Sequence, residues 1–297
     1  MNTLYDSFLT YIRCELNESA RTVMSYGYDL RQWEAFTAEA FGPSFDPLQV
    51  VLNDVRQWVA ALSAEGKSQR TIRRKVQTLR ALYHYLMKRG LVQGNPAEEL
   101  TMARMPKTLP GVIRPEDLEK LIDSPYDHTD FLSTRNRLII TLLYSTGMRA
   151  SELIGLLDID VDARKGELKV LGKRNKERII PFGNELTDMI SLYRTLRPSG
   201  SAPQLFVEED GSALTYPHLN AIVKGELIGR VRSPRHTAHA LRHSFATDML
   251  NSGAEITAVQ QLMGHASLAA TQIYTHLSYR ELQHNYQLAH PRAQKKG

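Results

Sequence analysis

The 297-residue sequence predicts a mainly α protein of two domains with one small β-hairpin, an α+β fold. Three observations carry this expectation. Apolar residues recur at helical spacing through the first hundred positions. A stretch holding three prolines and a glycine then breaks the pattern. Farther on, two short runs rich in branched residues flank a basic turn.

In chain order, Leu4, Phe8 and Ile12 repeat every four residues, as on one helix face. Ser19 is placed to cap a second helix striped by Val23, Tyr26, Leu30 and Trp33. Val55, Trp58, Val59 and Leu62 mark a third helix. Ile72, Val76, Leu79, Tyr83 and Leu86 mark a fourth, ending at Gly90 before Asn95-Pro96. These aromatic residues, at core spacing, are read as core rather than as base-stacking surfaces. Residues 1–105 thus form a helical module. The run Arg104–Pro115, RMPKTLPGVIRP, excludes a continuous helix and sets an extended linker at 106–114. Pro115-Glu116-Asp117 suits the first turn of a helix that opens a second domain, 115–297. Within it, Glu167–Leu171 and Glu177–Pro181, separated by Gly172-Lys-Arg-Asn-Lys176, read as the hairpin.

Hydrophobic content of 42% and charged content of 23% are those of a globular chain. The apolar stretch Leu138–Tyr144 is too short to span a bilayer, and the first ten residues lack the features of a secretory signal. A single cysteine, Cys14, forms no internal disulfide and fits a reducing compartment, so a cytoplasmic location is expected. The net charge is +5, and its distribution says more than its size. Gly66–Ala97 holds no acid while Arg70, Arg73, Arg74, Lys75, Arg80, Lys88 and Arg89 accumulate there. Leu227–Thr247, also acid-free, holds Arg230, Arg232, Arg235 and Arg242. Two basic surfaces suit a polyanion passing between two bodies, and Arg70, Arg73, Arg74, Lys75, Arg80 and Arg235 are the candidate contacts. Two solvated basic faces are the other reading of the same charges.

Four segments of the second domain carry candidate chemistry: TGMRASEL with Arg149, the hairpin turn with Lys173, HALRHSFAT with His239 and Arg242, and LMGHASLAATQIYTH with His265 and Tyr274. Singly, each has an ordinary role. Arg149 can pair with Glu152 three residues on, a weak interaction at a surface. Lys173 suits an exposed turn, and a lone Tyr274 suits a core. His239 and His243 stand four apart, yet no Glu follows His239, so the zinc-protease pattern is absent and no metal is assigned. Together the residues suit phosphoryl transfer. Arg149 and Arg242 can grip non-bridging oxygens in forked geometry, and His265 can add a hydrogen bond. Tyr274 needs help to ionise, for which His239 is placed, and a lysine on a hairpin suits protonation of a leaving oxygen. His265 and Tyr274 would fall on opposite faces of one continuous helix. A break at Gly264, with Ser267 capping a new helix, permits them to converge.

These segments, in this order and approximate spacing, resemble the tyrosine recombinases, and most closely their Xer branch. The likeness runs from the helical amino-terminal module to His290-Pro-Arg-Ala293. It implies a SAM-like core-binding domain and a catalytic domain forming a C-shaped clamp on DNA. It implies that Tyr274 is the nucleophile, assisted by Arg149, Lys173, His239, Arg242 and His265. It further implies a 3′-phosphotyrosyl intermediate, a four-way junction, and a homo- or hetero-tetramer with a paralogue on paired sites. A DNA translocase such as FtsK is an implied partner, and neither ATP nor a metal or other cofactor is implied. The helix expected over Ser278–Leu288 could fold back on its own domain; in that family the terminal segment instead docks on a neighbouring protomer, and the resemblance implies the same here. Where relatives have glycine after the hairpin lysine this chain has Arg174, which puts the pose of Lys173 in question.

Chromosome-dimer resolution at a dif-like site is the expected role, favoured by compact length. An integrase of a phage or conjugative element would share the chemistry. A type IB topoisomerase would share the site without pairing two duplexes, and a non-catalytic DNA-binding relative would have no need of Tyr274.

Overall fold

Ser19 and Ser68 each accept a hydrogen bond from the backbone N–H three residues on, at Thr22 and Thr71, and so start two helices of the amino-terminal unit. The computed structural model describes residues 2–102, 111–172, 177–264, 285–286, 288–290 and 292. Contacts divide the chain into two units, Met1–Thr108 and Leu109–Gly297. In the first, α1 (Thr3–Cys14), α2 (Ala20–Phe41), α3 (Leu52–Ala64) and α4 (Gln69–Lys88) bury the expected stripes. Trp33 and Trp58 meet edge to face at its centre, ring centroids 5.1 Å apart.

The charge pattern of α4 divides once its packing is known. Lys75 is not a surface contact. It lies on the core-facing side with Ile72, Val76 and Leu79, its side chain 2% exposed, and its Nζ is 2.9 Å from Oδ1 of buried Asp29. Gln32 and Thr78 complete that network, because a buried ammonium facing a buried carboxylate needs its remaining bonds filled. Arg80 donates to the carbonyls of Ala97 and Leu100, both at 2.9 Å, and Arg73 to that of Met102. These two brace the end of the unit. Arg74 bonds Ser25 and Asp29 yet remains 43% exposed, and Arg70 is exposed.

The second unit surrounds α6 (Phe131–Thr146), buried on every side from Leu138 onward. Against it pack α5 (Pro115–Asp123), α8 (Asn184–Leu196), α9 (Tyr216–Leu227) and α10 (Ala238–Asn251). Two shorter helices, α7 (Ala150–Gly155) and α11 (Ile256–Met263), stand at one side. The expected hairpin is present as β2 (Glu167–Leu171) and β3 (Glu177–Pro181), with Val170 opposite Arg178. A third strand, β1 (Val161–Asp162), pairs antiparallel with β2. Residues 111–114, read from the sequence as the end of the linker, belong to this unit. Ile113 is fully buried, and its N–H and carbonyl bond the Ser244 hydroxyl at 2.8 and 3.2 Å. Proline prevents a helix there but not burial, since an extended backbone can be satisfied by one hydroxyl. Among the described residues no helix is long and apolar enough to cross a membrane.

The described residues of the tail fold back on their own unit. Tyr286, Ala289, His290 and Arg292 are all buried. His290 packs among the rings of Tyr144, Phe245 and Tyr286 at 5.2–5.4 Å between centroids, and burial pushes its imidazole down to about 3. Arg292 donates to Glu185 and Asp123, which lie on α8 and α5. These residues pack in cis, whereas residues 278–284 of the segment expected to dock on a neighbour lie outside the described residues. Tyr286→Ala is expected to cost ~3–5 kcal/mol, the range for emptying a buried aromatic site. Deleting residues 285–297 is expected to abolish cooperative unfolding of the second unit, followed by circular dichroism during thermal denaturation. A truncated chain that melts like the full one would refute the cis packing.

Candidate active site

The turn between α6 and α7 delivers Arg149. Gly147 caps α6 in the left-handed conformation, φ +60°. A Cβ there would stand 2.2 Å from a ring carbon of Phe245, so only glycine lets α10 approach this closely. Met148 turns into the core, and Arg149 becomes the residue before the first turn of α7. Glu152 reaches back to accept the Arg149 N–H at 2.8 Å, the reciprocal half of a capping box. The same carboxylate accepts from Arg149 Nη1 at 2.6 Å.

The i, i+3 pair suspected between Arg149 and Glu152 is therefore real, but it is no weak surface pair. Glu152 is 3% exposed and receives a second, bidentate partner, Arg178 of β3, through two 2.8 Å bonds. Burial alone would raise this carboxyl's pKa. The bonds from Arg178 and Arg149 win, and it is pushed down to about 2.

From α10 come Arg242 and His239. Thr237 caps this helix by accepting the Ala240 N–H at 3.2 Å. Arg242 lies on its buried side, with Nη1 on the Gly147 carbonyl at 2.6 Å and Nη2 on that of Met263 at 2.7 Å. Burial first, and then the charge of Arg149, push its guanidinium down to about 10, so it remains cationic at neutral pH. His239 stands one turn earlier and exposed, its ring 4.5 Å from that of His243. Partial burial and the neighbouring His243, Arg242 and Arg235 hold its pKa below the ordinary 6.5. At neutral pH it is a proton acceptor.

All three arginines converge on the last carbonyls of α11. Arg178 Nε bonds the Leu262 carbonyl at 2.9 Å, Arg242 that of Met263, and Arg149 that of Gly264 at 2.8 Å. Carbonyls at a helix end lack intrahelical donors and carry partial negative charge, so cations are the natural partners. Three guanidiniums facing one carboxylate leave a surplus of positive charge. Such a site favours a bound anion with forked oxygens, as a phosphodiester has.

Of the expected residues, the structure thus brings Arg149 and Arg242 to one helix end and places His239 one turn from Arg242. Lys173, His265 and Tyr274 lie outside the described residues. Arg235 is exposed on the segment leading into α10. Arg178 and the central part of Glu152 escaped the sequence reading. The alternation of β3 carried the signal for Arg178, since it shares the inward face with Ile180, Val170 and Leu168.

Residues 111–281 match the phage integrase family, and residues 5–90 match the family's N-terminal SAM-like domain. The tyrosine recombinase XerD of Listeria monocytogenes serotype 4b is 35% identical over 299 residues, covering 99% of this chain and 100% of the relative. The tyrosine recombinase XerC of Alcanivorax borkumensis is 36% identical over 301 residues, covering 99% and 96%. Among solved structures, the XerH site-specific recombinase in a pre-cleavage complex with its difH substrate is similar at a TM-score of 0.66 and 25% identity. That likeness covers 94% of this chain and 82% of the XerH chain.

Gly147 offers a test of how the site is built. Gly147→Ala is expected to destabilise the second unit by ~1–2 kcal/mol for the left-handed backbone. Displacing Phe245 adds about 1–3 kcal/mol. Urea denaturation measures the sum, and a variant as stable as wild type would mean that the α6–α10 approach is not fixed by this glycine.

Proposed function

This chain belongs to the phage integrase family of tyrosine recombinases, and we propose that it is a site-specific DNA recombinase of the Xer kind, resolving chromosome dimers at a dif-like site. One observation carries the reading of the site. Arg149 and Arg242, from separate helices, are moored to the adjacent carbonyls of Gly264 and Met263, immediately before His265 in sequence. Likeness to both XerC and XerD supports the Xer assignment.

In this reading both units contact double-stranded DNA, with Arg70, Arg74 and Arg235 among the contacts. Tyr274 attacks the scissile phosphorus while His239, kept neutral by its surroundings, takes the phenolic proton. Charge growing on the non-bridging oxygens is met by Arg149 and Arg242, with His265 adding a hydrogen bond. The bond to the 5′ oxygen breaks, Lys173 supplies its proton, and a 3′-phosphotyrosine remains. The partner strand's 5′ hydroxyl then attacks that phosphorus and releases Tyr274. One phosphoester bond replaces another, so no external energy source enters. Two such rounds, in a tetramer over paired sites, make and resolve a four-way junction.

The identity of the nucleophile is tested by trapping. Wild-type protein incubated with sheared host DNA is expected to yield SDS-resistant adducts, and sequencing of the attached fragments should place them at one chromosomal site. Tyr274→Phe is expected to bind DNA normally and give no adduct. Adducts at wild-type level from that variant would refute the assignment. Adducts mapping to the ends of a mobile element would favour the integrase reading instead.

For Lys173 the leaving oxygen is the probe. Lys173→Ala is expected to cleave ordinary DNA at a rate lowered ~10²–10⁴-fold, the usual contribution of a general acid. A substrate with sulfur at the 5′-bridging position, which needs little protonation to leave, should restore most of that loss. Absence of rescue would move the role to positioning, or to Lys176.

A further inference from the structure

The geometry points to Arg178 as a positioning residue of the recombination site, one guanidinium that holds the β2–β3 hairpin, the Arg149 turn and the free end of α11 in a single arrangement. The inference rests on the recombinase reading given above. Arg178 belongs to β3, the strand that the turn carrying Lys173 leads into. Its two Nη atoms occupy both oxygens of Glu152, and Glu152 in turn holds both the backbone N–H and the guanidinium of Arg149. Its Nε takes the Leu262 carbonyl. Its planar face also lies against Gly264, where a Cβ would stand 2.8 Å from Nη1 and 3.0 Å from Cζ. The left-handed turn at Gly264, φ +64°, and the guanidinium therefore fit together as a pair.

Each element that Arg178 touches leads directly to a different group of the proposed chemistry. The hairpin leads to Lys173, the α7 cap is Arg149, and α11 leads to His265. A lysine could supply the charge but not three directed bonds in one plane. Arg178 has no need to meet DNA, and its side chain is 14% exposed. Its function is to keep Glu152 ionised and so keep Arg149 aimed.

The test compares Arg178→Lys, Arg178→Gln and the double variant Glu152→Gln/Arg178→Gln with wild type, using the full chain and the DNA site recovered by adduct sequencing. Thermal unfolding, DNA affinity by gel shift and single-turnover adduct formation are measured from pH 5 to 8. Arg178→Lys is expected to melt and bind near wild type while forming adduct ~10²-fold more slowly, the cost of a misplacement near 1 Å. Arg178→Gln supplies a readout that plain structural damage would not. Among the described residues the charged groups facing Glu152 are Arg149, Arg178 and Arg242. Without Arg178, burial dominates and the carboxyl takes up a proton at higher pH, freeing Arg149. The rate of Arg178→Gln relative to wild type is therefore expected to fall on acidification from pH 7 to 5. Taking the ratio cancels the titration of His239, which both proteins share. In the double variant, which has no carboxyl at 152, that ratio should be flat.

Adduct formation by Arg178→Lys at the wild-type rate would overturn the inference. So would a loss in Arg178→Gln that is the same at every pH, or failure of all three variants to fold, which would make Arg178 a folding residue alone. If wild type itself forms no adduct, the recombinase reading fails and this inference falls with it.

Discussion

Three guanidiniums gathered at the end of α11 repel one another, and the rest of the site depends on what opposes that repulsion. The carbonyls of Leu262, Met263 and Gly264 supply part of the answer, since a helix terminus offers acceptors with no partner of their own. Glu152 supplies the rest. Its carboxylate accepts four bonds, two from Arg149 and two from Arg178, so removing any donor leaves a buried acceptor short. Arg242, which donates no bond to Glu152, is instead moored to the Gly147 and Met263 carbonyls. Its position follows from two glycines whose left-handed backbones let α6 and α11 end where they do.

Much of this arrangement is legible in the amino-acid sequence. Helix stripes, the Ser19 cap and the strands of the hairpin are local features, and local features are what periodicity and capping report. Arg149, His239 and Arg242 stood out through their ordered motifs. The misreadings share one cause, which is that charge was read without its facing partner. Lys75 counts as basic in the sequence, but it occupies a core position of the α4 stripe, opposite Asp29 at a core position of α2. Glu152 was weighed as a surface neighbour of Arg149 because its other partner lies on a strand 26 residues away. The short strand β1 has two residues, too few to show alternation.

The amino-terminal unit repeats this lesson on a larger scale. Of the five candidate DNA contacts on α4, Lys75, Arg80 and Arg73 are engaged with the unit itself. A basic run is thus partly scaffold, and only the remainder is presented outward. Arg74 serves both ends, because it is bonded to Asp29 while its side chain stays 43% exposed. A residue of this kind couples the outward face to the core, since the carboxylate that fixes its direction is also the partner of Lys75.

The surplus charge of the second unit has a corresponding logic. Burial and repulsion lower the Arg242 pKa from 12.5 to about 10, a cost on the order of 3 kcal/mol. Yet a group with a pKa near 10 is still almost wholly protonated at neutral pH, so the charge persists where it is least comfortable. A protein selected for stability alone would relieve it, for example by a second carboxylate beside Arg242. None of the hydrogen-bond partners of Arg242 among the described residues is a carboxylate. Keeping the guanidinium on backbone carbonyls, which are dipoles rather than anions, leaves its charge without an internal counter-ion, and in the proposed reaction a phosphate would displace no ion pair of Arg242 on binding. Preorganised donors of this kind need little rearrangement as charge develops on the phosphate, which is what makes electrostatic stabilisation effective.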